Sequence, residues 1–138
     1  MLQNNMRVLG IDYGTKRIGV AIGDSEAKVA VPLATLEMKN VKLKMQNVVS
    51  EIVRIMKEED IELVVMGQGG KGSMEAKVRE FAQRLRKFVP VEIVDEHFTT
   101  VQVERAMKGY GKARKGIDKD AAAAALILQG WLDRLAKA

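Results

Sequence analysis

The segment Val8-Leu9-Gly10-Ile11-Asp12-Tyr13-Gly14-Thr15-Lys16-Arg17-Ile18-Gly19-Val20-Ala21 places a carboxylate at the end of an apolar run. A glycine-containing turn follows, and a second apolar run starts at once. Two short apolar runs joined in this way read as a hairpin, Met6–Tyr13 and Arg17–Asp24, turning at Gly14-Thr15-Lys16. A carboxylate that ends a buried strand needs a partner, because an unpaired charge removed from water is expensive. Asp12 is therefore a metal ligand, an acid of a phosphate site or a turn-maker.

The rest of the chain builds on that hairpin. Lys28–Leu36 reads as a third strand, and the short connection Ser25-Glu26-Ala27 makes the first three strands an antiparallel meander. Between Val41 and Glu59 the apolar period becomes helical, with Val41, Val48, Ile52, Ile55 and Met56 on one stripe. Ile61–Met66 lacks alternation, as a parallel strand covered on both faces would. Met74–Val89 predicts a helix with Val78, Phe81, Ala82 and Leu85 inward, ended by Pro90. Val91–Val94 is a further strand and Thr99–Met107 a short helix. A basic loop covers 108–116, and the last helix opens at or near Asp118 and runs to about Lys137. Its apolar positions include Leu126, Ile127, Leu128, Trp131, Leu132 and Leu135, and its alanine run 121–125 permits close packing on a sheet. The order βββαβαβαα predicts one α/β domain over residues 6–138, a mixed five-stranded sheet with helices on both faces, preceded by a loose extension at residues 1–5.

Bulk properties narrow the function. A net charge of +5 and a pI near 9.5 favour a polyanionic partner. The absence of cysteine excludes disulfides, thiolate zinc sites and thiol catalysis. A single histidine, His97, leaves a serine or cysteine triad unsupported. No apolar run reaches transmembrane length, and Met1–Asn5 is too short and uncharged for a signal peptide. The expectation is a cytoplasmic protein with no membrane partner.

Three acids share a context. Asp12, Glu96 and Asp118 each lie at an element end beside a glycine, a polar loop or a helix start. Parallel strands that end on one edge bring such loops together. Converging carboxylates repel unless a cation joins them, and oxygen ligands without a histidine or cysteine cluster indicate Mg²⁺ or Mn²⁺. Such ions can activate water and stabilise the leaving oxygen of a phosphodiester. Plain structural readings compete: Asp118 as the N-cap of the last helix, Glu96 as a solvated loop residue, Asp12 as turn chemistry. Only Asp12 demands a partner by its own position. Asp120, Asp95, Asp24 and Asp60 are further candidates; Asp60 reads as an exposed loop residue and Asp24 as structural. Asp95 alternates with Glu96, so only one of the two points into a site. In a sheet ordered 3-2-1-4-5, Glu96 starts roughly 10 Å laterally from Asp12, given about 4.8 Å between strands.

Arg105, Lys108, Lys112, Arg114 and Lys115 lie in a stretch with no acid from 105 to 117. A flexible cationic loop beside a carboxylate site suits a phosphate backbone, and a solvated surface loop is the plain alternative. Tyr110 is a candidate for stacking on a base or for packing. Lys16 and Arg17 either meet phosphates or keep their turn soluble. His97 reads as an exposed loop histidine or a general base. Gly67-Gln68-Gly69-Gly70-Lys71-Gly72-Ser73 follows a strand and precedes a helix, but its spacing does not match GxxxxGK[ST], so it reads as a mobile loop at the same edge.

Gly10-Ile11-Asp12-Tyr13-Gly14-Thr15-Lys16-Arg17-Ile18-Gly19-Val20-Ala21, Asp95-Glu96-His97-Phe98-Thr99-Thr100 and Ile117-Asp118 with Ala121-Ala122 and Ile127-Leu128-Gln129, in that order, resemble the YqgF (RuvX) family over nearly the whole chain. The resemblance implies an RNase H-like fold related to the RuvC resolvases, and Asp12, Glu96 and Asp118 at the family's acidic positions. It implies either trimming of the 5′ end of pre-16S rRNA in ribosome biogenesis or resolution of four-way Holliday junctions. Two departures stand out: His97 replaces an arginine, and Gly67-Gln68-Gly69-Gly70 replaces a Gly-Leu-Pro type segment. The leading expectation is a metal-dependent nuclease on structured RNA, with branched DNA as the alternative substrate. Symmetric junction cutting would call for a homodimer. A phosphotransferase of the actin-like type is a second reading, although it needs two such domains. A non-catalytic rRNA-binding module is a third.

Overall fold

Strand β1 (Arg7–Tyr13) organises the sheet because it pairs differently on its two sides. It runs antiparallel to β2 (Arg17–Asp24) and parallel to β4 (Leu63–Gly67). β3 (Ala30–Glu37) continues the meander beyond β2, and β5 (Val91–Val94) lies parallel to β4. The order is β3-β2-β1-β4-β5. The structure is a computed structural model and describes residues 5–38, 41–68, 73–95, 100–110 and 119–137. Its helices are α1 (Val41–Glu58), α2 (Ser73–Leu85), α3 (Thr100–Tyr110) and α4 (Lys119–Lys137). None of them is long and apolar enough to cross a membrane.

The two-residue period of the strands divides the sheet's side chains between two cores. Leu9, Ile11 and Tyr13 of β1, Ile18 and Val20 of β2 and Val64 and Met66 of β4 pack with α1 and α2, where Ile52, Phe81, Ala82 and Leu85 are fully buried. Val8, Ala21, Ala30 and Val65 point the other way and pack with α4 through Ala124, Ala125, Ile127, Leu128 and Leu132. The α1 stripe expected from helical spacing holds among the described side chains; of the apolar positions of α4, Ile127, Leu128 and Leu132 are buried, Leu126 and Trp131 partly so, and Leu135 is 40% exposed. It lies past the last contact with the sheet, in the final turns of the helix.

Glycine and alanine set how closely α4 lies on the sheet. A Cβ on Gly10 would stand 2.8 Å from Leu128 Cβ and 3.0 Å from the Ala124 carbonyl oxygen. The alanine run therefore meets bare backbone, which is the close packing its composition suggested.

Two helix ends differ from expectation. α2 stops at Leu85, four residues before Val89. Pro90 disfavours helical backbone at the residue before it, and the chain uses the intervening residues to reverse. The Phe88 and Val89 amides both donate to the Leu85 carbonyl, at 2.9 and 3.2 Å, and Arg86 Nη2 donates to the Val91 carbonyl at 2.9 Å. α3 runs on to Tyr110, so Lys108 and Tyr110 are helical and not in a loop. Gly109 inside a helix costs only about 1 kcal/mol against alanine, too little to end it.

The β2–β3 connection is tied by side chains. Asp24 Oδ1 accepts from the amides of Glu26 and Ala27 at 3.0 and 2.6 Å, which bears out its structural reading. Lys28 takes a left-handed φ of 59°. Gln129 of α4 then receives the Ala30 amide at 2.9 Å and donates to the Lys28 carbonyl at 2.9 Å. Gln129→Ala removes both hydrogen bonds, the one to the Ala30 amide part-buried, and denaturant unfolding should show a loss of about 1–2 kcal/mol. At the same end, the Met6 amide donates to Ser25 Oγ at 2.7 Å and the Glu26 amide to Asn5 Oδ1 at 3.4 Å, so Asn5, assigned to a loose extension, makes a contact.

Candidate active site

Asp12 is the penultimate residue of β1, on the face that α4 covers. Its partners across the sheet are Gly19 of β2 and Gly67 of β4, and Gly67 in turn pairs with Val94 of β5. Both neighbours of Asp12 therefore lack side chains. At Gly19 the space is filled by the first turn of α4: a Cβ there would overlap the Asp120 carbonyl group and stand 3.0 Å from the Ala121 amide nitrogen. At Gly67 it is filled by the tip of Ile127. The two glycines thus let the start of α4 reach the row that holds Asp12.

That contact brings a second acid to the first. The Asp12 carboxyl is pushed up to about 6, by burial first and by the Asp120 carboxylate second. No hydrogen bond or ion pair satisfies the Asp12 side chain among the described residues. Asp120 has a cation: Arg17 Nε donates to its Oδ2 at 2.8 Å. At neutral pH Asp12 is an ionised, partly buried, like-charged neighbour of Asp120. The donor set is oxygen only, and a hard divalent cation would relieve both the desolvation and the repulsion. Among the described residues no three ligating side chains cluster, so this pair is the extent of the acidic site they define.

The other expected site residues fall into three groups. Glu96, His97, Asp118, Lys112, Arg114 and Lys115 lie outside the described residues. Lys16 is exposed in the β1–β2 turn, and Arg105 and Lys108 are exposed on α3, which packs against α4 on the Asp12 side of the sheet. Asp24 and Asp60 lie at the far end: Asp24 pairs with Arg7, the first residue of β1, and Asp60 precedes β4. Asp95 is exposed one residue past Val94, which packs with α4; strand alternation gives Asp95 the parity of Ile93, on the opposite face.

Asp120 was only one of several further candidates in the sequence. A signal was present: Asp120, Ala124, Leu128 and Leu132 recur at four-residue steps, which is one helical stripe. Gly19 meets its first member, Gly10 the middle two and Gly23 the last two.

A five-stranded mixed sheet covered on both faces, with an acid closing the central strand, defines the RuvC-type class. The chain resembles RuvC from Thermus thermophilus with a TM-score of 0.66 at 16% identity, over 95% of this chain and 97% of that one. Residues 6–134 match the RuvX family, described as Holliday junction resolvase, and the chain belongs to that family. A relative from Endomicrobium trichonymphae is 41% identical over 92% of this chain and 95% of its own length. One from Chlorobaculum tepidum is 36% identical over 94% and 95%. Both carry the name pre-16S rRNA nuclease as an inferred activity.

Proposed function

We propose that this protein is a divalent-metal-dependent nuclease that processes the 5′ end of pre-16S rRNA in the cytoplasm. The observation that carries the reading is the Asp12–Asp120 pair, two neighbouring carboxylates near the end of the central strand, with no cation on Asp12 among the described residues. The names of the curated relatives support the substrate. Mg²⁺ or Mn²⁺ fits the oxygen donors, and when bound would supply an activated water and stabilise the leaving oxygen. Asp12, Glu96 and Asp118 would hold it, with Asp120 beside Asp12 as a further carboxylate. Lys16, Arg105 and Lys108 are exposed cations suited to phosphates near that edge, and Lys112, Arg114 and Lys115 extend the same basic segment in sequence.

Cleavage assays on a 5′-extended 16S rRNA precursor and on a four-way DNA junction, each with Mg²⁺, Mn²⁺ or EDTA, test the proposal. Metal-dependent cutting of the RNA is the expected result. Symmetric cutting of the junction instead would favour a resolvase acting as a homodimer, the activity in the family's description. Binding of RNA without cutting of either substrate would indicate a non-catalytic module.

Asp118 and Asp120 are compared in the same assay. Asp120→Asn should lower the cleavage rate at least about a hundredfold, equivalent to roughly 2.7 kcal/mol of barrier. Asp118→Asn should lower it to a similar degree, as loss of a further metal-holding carboxylate would. A loss at Asp118 without one at Asp120 would confine the acidic role to Asp118.

A further inference from the structure

Arg17 shares its strand face with Gly19 and Ala21, beneath the start of α4, and stands two residues from the glycine opposite Asp12. It was expected to meet phosphates or solvent. Among the described residues it donates through Nε to Asp120 Oδ2, without a second hydrogen bond parallel to that one. The pair is accessible, at 45% exposure for the arginine side chain and 23% for the aspartate. A single-pronged, water-accessible ion pair is worth little and is readily exchanged, unlike a buried fork. Asp12 beside it has no cation at all among the described residues. Among the described residues the site thus brings together two carboxylates and the exchangeable positive charge of Arg17.

We propose that Arg17 is a positioning residue that competes with the metal for Asp120. The inference rests on the reading of Asp12 and Asp120 as the metal-holding pair. Arg17 offsets the repulsion between the two carboxylates and keeps Asp120 against the mouth of the site. Its positive charge also opposes a second cation arriving within a few ångströms, so the arrangement trades metal affinity for an ordered empty site.

Mn²⁺ titration by calorimetry and electron paramagnetic resonance, on the full chain, tests this without reference to cleavage. Arg17→Gln should bind Mn²⁺ about three- to tenfold more tightly than the unsubstituted protein, by removal of one nearby positive charge. Arg17→Lys keeps the charge and should stay within about twofold. In an Asp120→Asn background, the step from Arg17 to Gln should change affinity by less than it does in the unsubstituted protein, because the contested carboxylate is gone and only the through-space repulsion of the charge remains. A purely structural pair would behave oppositely, with Arg17→Gln weakening Mn²⁺ binding. Equal or weaker binding by Arg17→Gln, an undiminished effect in the Asp120→Asn background, or failure of Arg17→Gln to fold would each overturn the inference. Absence of Mn²⁺ binding by the unsubstituted protein would overturn the metal reading beneath it.

Discussion

Asp12→Asn should abolish cleavage and, in metal-free buffer at pH 7.5, raise the stability of the protein. Loss of a metal-holding carboxylate should lower the rate about a thousandfold, or roughly 4 kcal/mol of barrier. The stability gain follows from the raised Asp12 carboxyl, at about 6 against 3.8 for the free group. Between those values the folded protein binds more protons than the unfolded chain, so stability falls as pH rises from about 4 to 6 and stays lower above 6. The difference is equivalent to about 3 kcal/mol, reduced to about 2 kcal/mol by the partial exposure of the residue. Asparagine preserves the shape and removes the charge. Its melting temperature at pH 7.5 in EDTA should therefore exceed that of the unsubstituted protein by about 5–8 °C. At pH 4 the two should coincide. Added Mg²⁺ should stabilise the unsubstituted protein and leave Asp12→Asn unmoved. A melting temperature at pH 7.5 no higher than that of the unsubstituted protein would mean that Asp12 does not carry an uncompensated charge.

Gly19→Ala should destabilise the fold by about 3 kcal/mol and disable the site together, because one methyl group fills the space of the helix start. The added carbon would overlap the Asp120 carbonyl group, which belongs to main chain and cannot rotate away. α4 has to lift by its first turn, and Asp120 moves from Asp12 with it. Gly67→Ala tests the contrast, since the obstacle there is the end of the Ile127 side chain, which can turn. Chemical unfolding should show the larger loss at Gly19. Suppression of the Asp12→Asn stability gain in the Gly19→Ala background would show that the acids had separated. Retention of full cleavage by Gly19→Ala would refute the placement of α4 against Asp12.

The architecture was legible because the decisive patterns are local. Alternation and short turns in 6–36 leave an antiparallel meander as the economical reading, and the unpatterned Ile61–Met66 run marks a strand covered on both faces. The misplaced helix ends were harder for the opposite reason. Pro90 signals that a helix cannot continue through it, not how many residues the reversal before it uses, and Gly109 weakens a helix without breaking it. In the site, Asp12 was legible because an apolar strand rarely ends in a carboxylate. Asp120 did not stand out from its neighbours: near a helix start every acid resembles a cap, and it is the register of α4 on Gly19 that brings Asp120 beside Asp12. Arg17 was hidden because a turn cation and an ion-paired cation look alike in one dimension.

The two faces of this sheet differ in how they can vary. Against α1 and α2, branched and aromatic side chains interlock, and one can grow where its neighbour shrinks. Against α4 there is less volume to exchange, since at Gly10 and Gly19 strand backbone lies directly against the helix and its alanines line the contact. A chain built this way is plastic on one side and brittle on the other, and its acids sit on the brittle side. Drift in sequence can therefore remodel the α1–α2 layer extensively while the spacing of Asp12 and Asp120 stays as fixed as a main-chain dimension.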